Sequence, residues 1–146
     1  MLKTLTATTV LVLAAATASA QTCPTTGLLT GKQINDLLVD NTGRYACGHN
    51  GTERWNETLS GGIVTDYKLG PNSTTDKSAA VGTYSVNNNG NDTGRITYTY
   101  GSASFVYNIV PVTGTTAPSP GQYLFCQIGG PTYSITVSAG ATPGGC

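Results

Sequence analysis

The chain has 146 residues, with seven basic side chains, seven acidic ones and a single histidine. That length suits one compact domain with one core and is short for two, and the even charge leaves no basic footprint for nucleic acid or an anionic membrane surface. Few charges with abundant Gly, Thr, Ser, Asn and Tyr fit an all-β protein, whose strands favour β-branched and aromatic residues.

The opening stretch, MLKTLTATTVLVLAAATASA, has a basic start at Lys3, an apolar run, and a small-residue ending at Ala18-Ser19-Ala20. It reads as a secretory signal peptide cut before Gln21. The run falls short of the roughly 20 apolar residues of a spanning helix, and no later segment is as apolar, so no membrane insertion is expected. No cysteine directly follows the cleavage site, which argues against a lipid anchor. Residues 21–146 are then one secreted or periplasmic domain, expected to be a monomer.

Cys23, Cys47, Cys126 and Cys146 all lie in that domain. In an oxidising compartment four cysteines read as two disulfides, and three pairings are open. The favoured pairing joins the chain ends, Cys23 with Cys146, and leaves Cys47 with Cys126. No Cys-x-x-Cys occurs and one histidine does not complete an ordinary ligand set, so neither a metal nor another cofactor is expected.

TGKQINDLLVDNTG predicts a helix over about 31–40. Thr30 with Gln33 three residues on has the spacing of a capping box. Ile34, Leu37 and Leu38 form one apolar stripe, and Asn41 to Gly43 supplies the stop. From Arg44 onward the pattern has period two, punctuated by Gly, Asn and Pro. Strands are expected at Arg44 to His49, Glu53 to Leu59, Ile63 to Leu69, Val81 to Asn87, Arg95 to Tyr100, Ser104 to Val110, Gln122 to Ile128 and Thr132 to Ser138. HNGT, SGG, NNNGND, YGS and IGGP are short enough for hairpins. GPNSTTDKSA and VTGTTAPSPG are longer and are candidate rim loops at a mouth.

About eight strands in hairpin sequence predict an antiparallel up-and-down (meander) barrel, with the helix covering one open end. A β-sandwich is the alternative. Ile96, Tyr98 and Tyr100 share one strand face, as do Phe105, Tyr107 and Ile109, and Tyr133, Ile135 and Val137; these sets are expected inward, joined by Trp55, Tyr67 and Tyr84. A barrel of this size is filled by such side chains or keeps room for one small ligand.

The helix followed by NTGRYACG, then ERWNETLSGGIVTDYKLGP, VGTYSV and a late YLFC, resembles small exported bacterial proteins of uncharacterised function with a lipocalin-like or calycin-like barrel. The resemblance spans Leu37 to Cys126. It implies a meander barrel and a Cys47 to Cys126 pair, and it carries fold more than function.

No G-x-S-x-G elbow is present, and His49 sits beside a hairpin turn, so a hydrolytic triad is not expected. Glu53 and Glu57, four apart on a strand, stand roughly 13 Å from each other by strand rise, too far for paired-carboxylate hydrolysis. The expectation is a non-enzymatic barrel binding a small apolar or aromatic ligand between Trp55, Tyr67, Tyr84, Tyr98 and Tyr107, with Arg54, Asp66 and Lys68 as polar handles. The alternative is a protein-binding module, such as an inhibitor of an extracellular enzyme, acting through its two long loops. Asn50, Asn56, Asn72 and Asn91 each open a glycosylation sequon.

Overall fold

A computed structural model describes residues 22–39, 43–50, 53–69, 79–88 and 93–139, with the backbone alone at 49–50, 53–55, 68–69 and 88. The expected signal peptide and Cys146 lie outside the described residues.

Eight strands form a closed antiparallel barrel in meander order: β1 (Arg44–Asn50), β2 (Glu53–Ser60), β3 (Ile63–Leu69), β4 (Ala79–Asn88), β5 (Gly94–Tyr100), β6 (Ala103–Pro111), β7 (Gly121–Gln127) and β8 (Thr132–Ala139). β1 pairs with β8 through Arg44↔Ala139 to Cys47↔Thr136, which closes the wall and leaves no sheet edge. The β2–β3 hairpin explains how register is set. Gly61 and Gly62 have φ of 58° and 82°, the left-handed pair that a two-residue hairpin turn matched to strand twist requires. Ser60 then faces Ile63, and the pairing runs back through Leu59↔Val64 and Glu57↔Asp66 to Arg54↔Leu69.

The helix α1 (Gly31–Leu38) starts as its residues dictate. Thr30 accepts from the Gln33 backbone N–H, and the Gln33 side chain accepts from the Thr30 N–H. It ends earlier than the sequence suggests, because Val39 turns extended and makes a parallel bridge to Leu59 on β2. A strand partner ends the helix before Asn41 is reached. Gly31, Ile34, Leu37 and Leu38 are buried, so the apolar stripe plugs the end of the barrel where β5 begins and β6 ends. Leu29 fixes the plug there: its N–H donates to the Ile109 carbonyl and its carbonyl accepts from Gly94 N–H. The helix start packs so closely on Gly94 that a Cβ at that position would lie 2.2 Å from the Gly31 nitrogen.

Below the middle of the barrel the core is solid. Leu29, Ile34, Leu37, Leu59, Val64, Ile96, Ile109, Tyr123 and Val137 pack together there, and Tyr123 has no solvent exposure. A second buried layer lies on the outer wall, where Tyr45, Cys47, Val110, Leu124 and Cys126 alternate with the inward set.

Cys126 bonds Cys23, not Cys47, with Cα atoms 5.6 Å apart. This corrects both favoured pairs. β8 stands between β1 and β7, so Cys47 and Cys126 are two strand spacings apart, about 10 Å, beyond the reach of a disulfide. The outward face of Cys126 instead meets the N-terminal segment at Cys23. Cys47 is also disulfide-bonded, to a partner outside the described residues.

Candidate functional site

Hairpins of a meander alternate between the two ends of the barrel. The end opposite α1 is therefore where β1, β3, β5 and β7 finish, and it carries Gly101-Ser102 and the turn after β7. β3 finishes at that end, whereas the 112–120 connection lies at the helix end, where β6 finishes. It is tied down there: Tyr123 Oη donates to the Ser119 carbonyl at 2.6 Å, and Arg44 Nη1 donates to the Pro118 and Asp36 carbonyls. The 70–78 loop lies outside the described residues.

On the inner face toward the open end stands a continuous aromatic wall. Tyr98 and Tyr100 stack with centroids 6.2 Å apart, and Tyr107 meets Tyr98 edge-on at 5.8 Å. Tyr107 also contacts Phe125 and Tyr133, and Phe105 packs on Tyr100. Such tilted and edge contacts are the preferred geometries of aromatic quadrupoles. Burial falls along the barrel axis. Tyr98 is 3% exposed, Tyr100, Phe105 and Tyr107 are half-buried, and Tyr133 at the rim is 40% exposed.

Opposite this wall stand two acids. Glu57 on β2 and Asp66 on β3 are direct register partners, and Asp66 is buried. Tyr100 Oη donates to Glu57 Oε1 at 2.6 Å, although β5 and β2 are three strands apart. Gly82 on β4 lies beside this ring. A Cβ there would sit 2.3 Å from the Thr99 carbonyl oxygen and 2.9 Å from Tyr100 Cδ1, so the β5 backbone and the Tyr100 ring together take the space of a side chain. Burial, then the charge of Glu57, then the hydrogen bond to it, raise the Tyr100 phenol far above its ordinary pKa. Tyr98 is raised by burial and next by Glu57, whereas Tyr107 is pushed up to about 12 by burial, Tyr133 and Glu57.

Of the residues expected to line a site, Tyr84, Tyr98 and Tyr107 share the inner face, with Tyr84 directly paired to Tyr98. Asp66 joins them. Tyr67 does not: it alternates with Asp66 and faces Asn56, on the outer side of the wall. Trp55 pairs with Gly48 and Lys68, and Arg54 with His49 and Leu69, but the side chains of Arg54, Trp55 and Lys68 lie outside the described residues. Glu57 was not among the expected handles. Counting back from the SGG turn finds it, because that turn sets Glu57 opposite Asp66.

Asn56 is only 2% exposed, so the sequon it opens has no room for a glycan in this fold; the other three sequon asparagines carry no described side chain. Among the described residues no three His, Cys, Asp or Glu side chains are grouped to hold a metal ion. No helix among them is long and apolar enough to cross a membrane. No family model, no curated protein and no solved structure matches the chain, so the site stands on its own geometry.

Proposed function

We propose that this chain is an exported, lipocalin-like barrel that holds a small apolar or aromatic ligand in the open half of its lumen. The observation that carries the reading is the gradient of burial: inward rings are sealed at the helix end and reach solvent at the other, from Tyr98 through Tyr107 to Tyr133. Eight-stranded barrels are wide enough for one small ligand, and a mostly apolar concavity with a few polar groups is how such sites are built. A secretory or periplasmic location agrees with the signal-like opening and with the Cys23–Cys126 disulfide, which persists in oxidising compartments.

The test is native mass spectrometry of the protein purified from an oxidising compartment, with and without an added neutral naphthalene probe. A bound compound lost on denaturation, or one probe per chain that competes with it, is the expected result. A chain that carries nothing and takes up no probe would overturn the reading and leave the tyrosines as core packing.

A further inference from the structure

We propose that the chain closes on itself with a clasp: residues 140–146 turn back over the outer face of β1 and β2, and Cys146 bonds Cys47 beside the seam where the barrel shuts. The chain has four cysteines. Cys23 and Cys126 are bonded to each other, and Cys47 is itself disulfide-bonded, so Cys146 is the one partner this chain has left for it. Forming the bond takes one hydrogen from each thiol. An exchanging disulfide in an oxidising compartment accepts the two electrons and two protons and leaves as two thiols.

The path is within reach. Ala139, where β8 ends, is the register partner of Arg44, and Cys47 stands three residues farther along β1. That is about 10 Å along the strand and about 5 Å across it. The seven residues 140–146 span roughly 23 Å when extended, enough to reverse and arrive. Gly140, Pro143, Gly144 and Gly145 are the residue types that such a reversal uses.

The wall marks the place that is covered. Cys47 and Asn56 are register partners on the outer face, and both are buried. Their outward neighbours, Thr136 on β8 and Thr58 on β2, are exposed, so the cover is local to this pair. The exposed Thr136 also separates it from the N-terminal segment, which Cys23 holds on β7. A bond from Cys47 to the chain end brings residues 140–146 to this spot. The clasp acts on the closing pair, whose strands lie farther apart in sequence than any other pair in the wall. With Cys146 tied to Cys47, β8 parts from β1 only as far as seven residues allow, so a parted seam closes again at high effective concentration.

The experiment uses the full chain purified from an oxidising compartment, alkylated, denatured without reduction and cleaved with chymotrypsin. Cleavage after Tyr45, Trp55 and Tyr133 separates the two cysteines of the C-terminal half, and peptide 46–55 joined to peptide 134–146 is the expected product. Cys47 joined to Cys126, joined to the Cys47 of a second copy, or alkylated as a free thiol would overturn the clasp. Its action on the seam is read by amide hydrogen exchange. Replacing Cys47 and Cys146 together by Ser should speed exchange in the β1–β8 pair about tenfold more than in the β4–β5 pair. Equal acceleration of both pairs, or none, would overturn the lock while leaving the bond. If the double variant does not fold, the unsubstituted chain decides: β1–β8 amides protected as long as those of β4–β5 support the lock, and early loss of protection at the seam overturns it.

Discussion

Raising the pH above 10 should undo this barrel through its tyrosines, with a sign and size that follow from the lumen. In an unfolded chain each phenol releases its proton near pH 10. In the folded chain Tyr107 holds its proton to about 12, and Tyr98 and Tyr100 are raised as well. Below pH 10 both states are protonated, so these groups add no pH dependence. Above 10 the folded state keeps protons that the unfolded state gives up, so stability falls as pH rises, and the Tyr107 contribution stops growing near 12. Two pKa units correspond to about 2.7 kcal/mol; since Tyr107 is half-buried, roughly half of that is expected after solvent screening. Tyr98 and Tyr100 act in the same direction. By pH 11, one unit above the unfolded value, each fully shielded phenol removes about 1.4 kcal/mol. A loss of about 2–4 kcal/mol for the three is a large part of the 5–15 kcal/mol that ordinary domains possess. The assay pairs tyrosinate absorbance at 295 nm with thermal melts from pH 8 to 12. Tyr98, Tyr100 and Tyr107 should ionise only together with loss of the near-ultraviolet dichroism. Glu57→Gln should weaken the alkaline loss, because Glu57 raises all three lumen phenols. Eight phenols titrating together near pH 10 in a chain that stays folded would refute the reasoning.

Other outcomes are expected from the same structure. Leu37→Ala at the fully buried centre of the helix stripe should cost about 2–5 kcal/mol, read as a lower denaturant midpoint with an unchanged slope. Gly94→Ala sets a methyl against the Gly31 backbone, which no side-chain rotation relieves, so it should destabilise the plug and lower Tm more than Gly129→Ala, where a Cβ meets nothing but φ is positive. Peptide mapping without reduction should recover Cys23 joined to Cys126, and a Cys23 to Cys146 peptide would contradict the strand order. Replacing Cys23 and Cys126 together by Ser should cost about 2–5 kcal/mol, measured by denaturant unfolding.

The strands were readable because β-branched and aromatic residues alternate with small polar ones between Gly and Asn turns, and the helix start because Thr30 and Gln33 carry their own instruction. Features set by contacts between distant segments were not readable. Val39 leaves the helix for Leu59, a partner twenty residues on, and nothing within the helical stretch announces it. The disulfide pairing needs the circular order of the strands, which the spacing of cysteines does not contain. That β3 and β6 finish at opposite ends of the barrel was available by counting, since successive strands of a meander alternate in direction. Glu57 was also available once the SGG turn was used as a ruler for the β2–β3 register. What no ruler supplies is the Tyr100–Glu57 bond across the lumen, because it joins β5 to β2 with the ring beside Gly82, on a strand that contains neither partner.

The staple from Cys23 to Cys126 joins residues 103 apart, and the barrel closes only when β8 docks on β1. A chain delivered from its N-terminus, by ribosome or translocon, thus presents its first cysteine long before the strand that receives it has emerged. Neither the wall nor the staple is complete until nearly all of the chain is free, so folding is late and governed by its longest-range contacts, the slow class among small domains. In that interval β1 has an open edge and Cys23 an unspent thiol. The interval before β8 docks on β1 is therefore the one in which an unpaired strand edge and a reactive thiol coexist in this chain.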